Sequence, residues 1–106
     1  MKNNEKEHPR VEFGKFVRDR RLELNIGLRE FATLIDLSPA FISKMERSEK
    51  QATRIHVEKL AKALEVQEDE LLTIWLSDKL LITLEEEPSA QDALKLTEKR
   101  LKTKVF

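Results

Sequence analysis

The sequence contains no cysteine. That excludes disulfides, thiolate chemistry and Cys-ligated zinc or iron centres. Glycine occurs twice and proline three times in 106 residues, so turns are few and short and the chain reads as mostly helical. No apolar run approaches the roughly 18 residues that a membrane span needs. The stretch Met1 to Arg10 is polar and charged, unlike a signal peptide. The expectation is a cytoplasmic protein with no membrane partner. Catalytic signatures are also missing: there is no Gly-rich phosphate loop, no metal-ligand spacing and no nucleophile with a base nearby in sequence. A single domain of this length has little room for a deep pocket. The chain is therefore read as a non-enzyme, with no cofactor and no metal.

What is present is charge. Asp, Glu, Lys and Arg make up 38% of the chain, well above the usual quarter or so. The apolar 40% suffices for one core. Net charge is zero, with 20 basic and 20 acidic residues, yet the two signs are not evenly spread. Met1 to Val66 carries 14 Lys/Arg against 11 Asp/Glu, and Gln67 to Phe106 carries 6 against 9. A mildly basic front suits a polyanion, and the acidic rear suits something else.

Met1 to Pro9 shows no apolar periodicity and reads as a mobile arm. Phe13, Phe16, Val17, Arg20, Leu22 and Leu24 then form a helical stripe, giving a first helix near Val11 to Leu24 that Gly27 breaks. A second helix runs from about Leu28 to Ile35, with Phe31, Ala32, Leu34 and Ile35 at helical spacing. Asp36 follows at a turn, where Asp tolerates the left-handed conformation. Ser38-Pro39 starts a third helix, because Ser is a strong N-cap and Pro suits the first helical position. That helix ends near Arg47-Ser48, with Phe41, Ile42 and Met45 on its apolar side. Thr53 caps a fourth helix whose buried face is Ile55, Val57, Leu60, Ala61 and Leu64. A fifth begins at Glu68-Asp69-Glu70, acids that suit a helix N-terminus, and ends at Glu85-Glu86-Glu87-Pro88. Ser89 to Asp92 opens a sixth carrying Ala93, Leu94, Leu96 and Leu101. No strand pattern or internal repeat is visible.

Two short helices joined by Asp36-Leu37-Ser38 have the spacing of a helix-turn-helix. Ala32 permits close crossing, and Ile35, Leu37, Ile42 and Met45 fill the space between the pair. The stretches "REFATLIDLS", "ISKMERS" and "VEKLAKALEV" resemble the lambda-repressor-like helix-turn-helix family, also called the Xre or Cro family. The resemblance covers about Phe13 to Leu72. It implies an all-α fold: a compact five-helix bundle at residues 11–72, preceded by the arm at 1–10 and followed by a helical extension at 73–106.

The resemblance also implies that Pro39 to Ser48 is a recognition helix lying in the major groove. Ser38, Pro39, Ala40, Phe41, Ser43, Lys44 and Arg47 would face DNA, with Ile42 and Met45 turned to the core. Lys44 would donate to guanine O6 or N7, Ser43 would bond a base or a phosphate, and Ala40 or Phe41 would touch a thymine methyl. Lys50, Gln51 and Arg54 match phosphate-contacting positions, as does Arg29. Arg21 and Glu46 match a structural salt bridge between the first and third helices. Three positions depart from the family pattern. Leu28 stands where a phosphate-gripping Gln is usual, and Asp36 and Ser48 replace glycines.

Other residues have plainer readings. Phe41 also fits a core position, and Arg18 and Arg20 fit solvated sites as well as DNA contacts. His56 suits a surface or capping role. His8 lies in the arm. Trp75 fits the core or a subunit interface, and Glu85-Glu86-Glu87 fits a solvated helix end, since consecutive helical acids diverge.

Apolar residues continue past the family match. Exposed on a single copy they would form a sticky patch, and a second copy would cover them. Leu72, Trp75, Leu76, Leu80 and Leu94 are the expected dimer contacts. The leading expectation is a homodimeric transcriptional regulator, a repressor on a palindromic operator, of a size resembling controllers of restriction–modification operons. Two alternatives share the fold: an antitoxin whose extension grips a toxin, and an interaction adaptor that does not bind DNA.

Overall fold

A computed structural model describes residues 11–103. The expected arm at 1–10 lies outside the described residues. Among the described residues the fold is all-helical, with six helices in the order α1 Phe13–Glu23, α2 Leu28–Ile35, α3 Pro39–Glu46, α4 Arg54–Leu64, α5 Glu68–Leu84 and α6 Ala90–Thr103. The first five make one bundle, in which α1 meets α3, α4 and α5, α2 meets α3 and α4, and α4 meets α5.

Local chemistry sets the helix starts. The Ser38 hydroxyl accepts from the Phe41 backbone N–H at 3.0 Å, with Pro39 at the first helical position. Thr53 and His56 cap α4 reciprocally. The His56 N–H donates to Thr53 Oγ1 at 3.2 Å, and the Thr53 N–H donates to His56 Nδ1 at 3.1 Å. This uses His56 in the place that Glu or Gln usually holds in such a box.

The ends of α1 to α4 share one device. Asn25, Asp36, Ser48 and Glu65 all have positive φ, between 57° and 64°. In each case the next residue's N–H reaches back across the turn to a carbonyl in the last helical turn: Ile26 to Arg21, Leu37 to Ala32, Glu49 to Lys44 and Val66 to Ala61, at 2.8–3.1 Å. These bonds satisfy carbonyls that the helix leaves unpaired. Asn25 thus ends α1. Gly27, expected to break it, has φ −71° and serves as the N-cap of α2.

The core gathers Phe13, Val17, Phe31, Ala32, Ile35, Ile42, Met45, Ala52, Val57, Leu60, Ala61, Leu64 and Leu71. Two apolar residues lie outside it: Leu34 is 58% exposed, and Ile55, expected on a buried face, 64%. Both fall at helical spacing with core residues, but no neighbouring element covers their side of the helix.

Gly14 permits a close helix approach. A Cβ there would stand 2.5 Å from the Met45 carbonyl oxygen and 2.6 Å from that of Glu46. The end of α3 therefore rests directly on α1.

Helix α5 continues unbroken past Leu72, so the expected boundary at that residue divides a helix. Its inner side holds Leu71, with Ile74 and Trp75 packed against the core. Asp78, on the same helix, accepts from the backbone N–H groups of Glu12 and Phe13 at 2.8–3.1 Å, capping α1 from 65 residues away. Helix α6 contains no buried residue.

Candidate nucleic-acid interface

The third helix is positioned by its inner side. Ile42 and Met45 are fully buried, and Glu46 is buried beside them. Glu46 Oε2 accepts from Arg21 Nε at 2.8 Å and Oε1 accepts from Arg21 Nη2 at 3.0 Å. Arg21 Nη1 donates to the Ile26 carbonyl at 2.9 Å. This two-pronged pair bolts α3 to α1. The hydrogen bond to Glu46 raises the Arg21 pKa, opposed by desolvation.

With that side fixed, the opposite side of α3 is presented outward. Ser38, Pro39, Ala40, Lys44 and Arg47 are exposed, and Ser43 is half-buried. Phe41 is half-buried as well. It packs against the core and meets the His56 ring edge-on, with centroids 5.1 Å apart. Phe41 therefore supports the α3–α4 junction with one side of its ring and leaves part of the ring in solvent.

The connector adds three exposed polar residues, Lys50, Gln51 and Arg54, the last at the start of α4. The Arg54 guanidinium lies 5.9 Å from the centre of the Trp75 ring, and Lys79 Nζ lies 4.6 Å from it. Trp75 Nε1 donates to the Ala52 carbonyl at 2.9 Å. Trp75 thus packs against the core and its own connector, the first of the two readings expected for it, and is half-buried. Arg29 is exposed in the first turn of α2, where Gly27 supplies no side-chain cap. First-turn N–H groups with a neighbouring cation are suited to an anion. Leu28, standing where the family usually has Gln, packs against the core.

Sequence reasoning missed two roles. Arg20, weighed as a DNA contact, donates from Nε to the Leu64 carbonyl at 2.9 Å and from Nη2 to the Glu65 carbonyl at 3.5 Å. It closes the end of α4, where a cation meets the negative end of the helix dipole. Glu49 grips Arg47: Arg47 Nε donates to Oε2 at 3.1 Å and Nη2 to Oε1 at 3.2 Å. Arg47 Nη1 also donates to Ser43 Oγ. The opposite signs two residues apart were visible, but the reversal at Ser48 that joins them was not.

Among the described residues, no cluster of His, Asp or Glu could hold a metal ion, and no helix is long and apolar enough to cross a membrane. The surface instead offers basic and hydrogen-bonding groups along one short helix and its flanks, the chemistry that base edges and phosphates accept.

No curated protein matches the chain. A sequence profile of the helix-turn-helix family matches residues 17–71, just over half the chain. That span runs from α1 into α5 and contains both helices of the pair. The protein accordingly belongs to the lambda-repressor/Xre-like helix-turn-helix family, whose members are DNA-binding transcriptional regulators.

Proposed function

We propose that the protein acts as a homodimer on a palindromic operator and represses by occupying it, with α3 in the major groove. The observation that carries the dimer is the outer side of α5. Leu76, Leu80 and Leu84 recur every four residues, and Leu76 and Leu80 are 44% and 48% exposed, while Leu72 packs against the core. Helix α6 adds Leu94 and Leu101, 42% and 61% exposed. Apolar surface on that scale marks an interaction site. A second copy covers it symmetrically, the same patch facing itself. Charge favours the same occupant. The first turn of α5 holds Glu68, Asp69 and Glu70 and its end runs into Glu85, Glu86 and Glu87, whereas α6 carries Lys95, Lys99, Arg100 and Lys102.

Two copies of α3 would then meet successive major grooves about 34 Å apart. Pairing also supplies affinity, since one domain of zero net charge with few phosphate contacts binds weakly at physiological salt. Ser38 to Arg47 read bases, while Arg29, Lys50, Gln51 and Arg54 hold phosphates. Dimer mass in light scattering, followed by footprinting on DNA selected from a random pool, tests this reading. Leu76→Glu with Leu80→Glu should give a folded monomer with weakened DNA binding. Lys44→Ala should relax base preference, and Arg54→Ala should weaken all sequences and flatten the salt slope by about one unit. A wild-type monomer, or a stable complex with a different protein in place of the second copy, would overturn the dimer.

A further inference from the structure

We propose that Glu49 sets the DNA selectivity of Arg47: it orients the guanidinium for base edges and withholds it from phosphates. The inference rests on α3 being the reading helix. Ser48, at φ 64°, reverses the chain at the end of α3, and the Glu49 N–H donates to the Lys44 carbonyl at 2.8 Å. This fold-back is what brings the Glu49 carboxylate against Arg47, two residues earlier.

An arginine has five N–H donors. Arg47 uses Nε and one Nη2 proton on Glu49, at 3.1 Å and 3.2 Å, and one Nη1 proton on Ser43 Oγ. Two donors remain, one on each terminal nitrogen, enough for the paired contact to guanine O6 and N7. Ser43 and Glu49 hold the side chain from two sides. The long side chain is then ordered before DNA arrives, which lowers the entropic cost of a directional contact. The Glu49 carboxyl is held below its ordinary range by Arg47, with Lys44 contributing, so it is ionised throughout the physiological pH range.

The two kinds of DNA contact respond differently. A phosphate would meet the same two donors, but it would bring a second anion against Glu49, whose carboxylate repels it. Little is gained at an arbitrary sequence. A guanine edge engages the two remaining donors while Glu49 stays in place, so that contact is additional. The pair is solvent-exposed and weak by itself. Its effect therefore lies in the ratio of affinities and not in fold stability.

The test compares Glu49→Gln with wild type on two duplexes, one selected from a random pool and one of scrambled sequence, across a salt series. Glu49→Gln should bind the scrambled duplex about two- to fivefold more tightly, with a salt slope steeper by about 0.9 as Arg47 takes a phosphate. Affinity for the selected duplex should change less, so the selectivity ratio falls. Introduced into Arg47→Ala, the same substitution should leave the ratio unchanged. An unaltered ratio in the Glu49→Gln single variant, or an equal change in the Arg47→Ala background, overturns the proposal. If Lys44→Ala and Arg47→Ala themselves leave binding to both duplexes unchanged, α3 is not the reading helix and both readings fall.

Discussion

The Trp75 indole N–H donates to the Ala52 carbonyl at 2.9 Å, tying α5 to the connector that precedes α4. Ala52 is buried, and Lys50, Gln51 and Arg54 stand on either side of it. One hydrogen bond thus connects the helix with the outward leucines to the segment with the outward cations. Trp75→Phe keeps a ring and removes the donor. It should cost about 1–3 kcal/mol, the usual penalty for a buried acceptor left unpaired, read from the denaturant midpoint. DNA affinity should fall by a similar factor on every sequence, because the affected cations are assigned to phosphates.

Of the two glycines, Gly14 is the one with no room for a side chain. The three atoms that a new Cβ would strike belong to backbone carbonyl groups of α3, which cannot rotate away. Gly14→Ala should destabilise by about 1–3 kcal/mol or more, as overpacking does. Gly27→Ala is the control. A Cβ there meets nothing within 4 Å and φ is ordinary, so its melting temperature should stay close to that of wild type.

The Arg21–Glu46 pair is buried on both sides, with side-chain exposures of 9% and 4%. Arg21→Met should cost about 3–5 kcal/mol, because Glu46 is left as an uncompensated charge. Adding Glu46→Leu should recover much of the loss, since a buried ion pair and a well-packed apolar pair are often near in energy. Four-way comparison of unfolding free energies measures the coupling. A double variant no better than Arg21→Met would show that this pair does more than neutralise itself.

The four left-handed helix ends make a graded prediction. L-residues in this conformation are strained by roughly 1–2 kcal/mol, less for Asn and Asp, and glycine is free of that strain at some entropic cost. Glu65→Gly and Ser48→Gly should therefore each raise stability by about 0.5–1 kcal/mol. Asp36→Gly and Asn25→Gly should give less. Thermal melts of the four variants check the order.

Elements governed by neighbours in sequence were legible. Ser38-Pro39 and Thr53 announce α3 and α4 because a cap is a contact over three residues, and the starts of α2, α3 and α4 follow the sequence closely. Periodicity located Ile42 and Met45 correctly but also placed Ile55 inside. It reports which residues share a helix face, not whether another helix arrives to cover it. Glycine misled for a related reason: Gly27 looked like the breaker, while Asn25 turns the chain and Gly14 admits a neighbour. The outward residues of α3 could be enumerated from the resemblance. The grip of Glu49 on Arg47 could not, because it depends on one backbone angle at Ser48.

Asp78 lies beyond the stretch that the family profile spans, yet its carboxylate closes the first turn of α1, and Trp75 lies beyond it too. A fragment of this chain that folds on its own should thus extend beyond the stretch that the profile spans. A fragment stopped at Leu72 would lose both the latch on its amino end and the brace on its basic connector. Trimming experiments should accordingly find a sharp threshold of cooperativity between residues 72 and 84, inside a single helix.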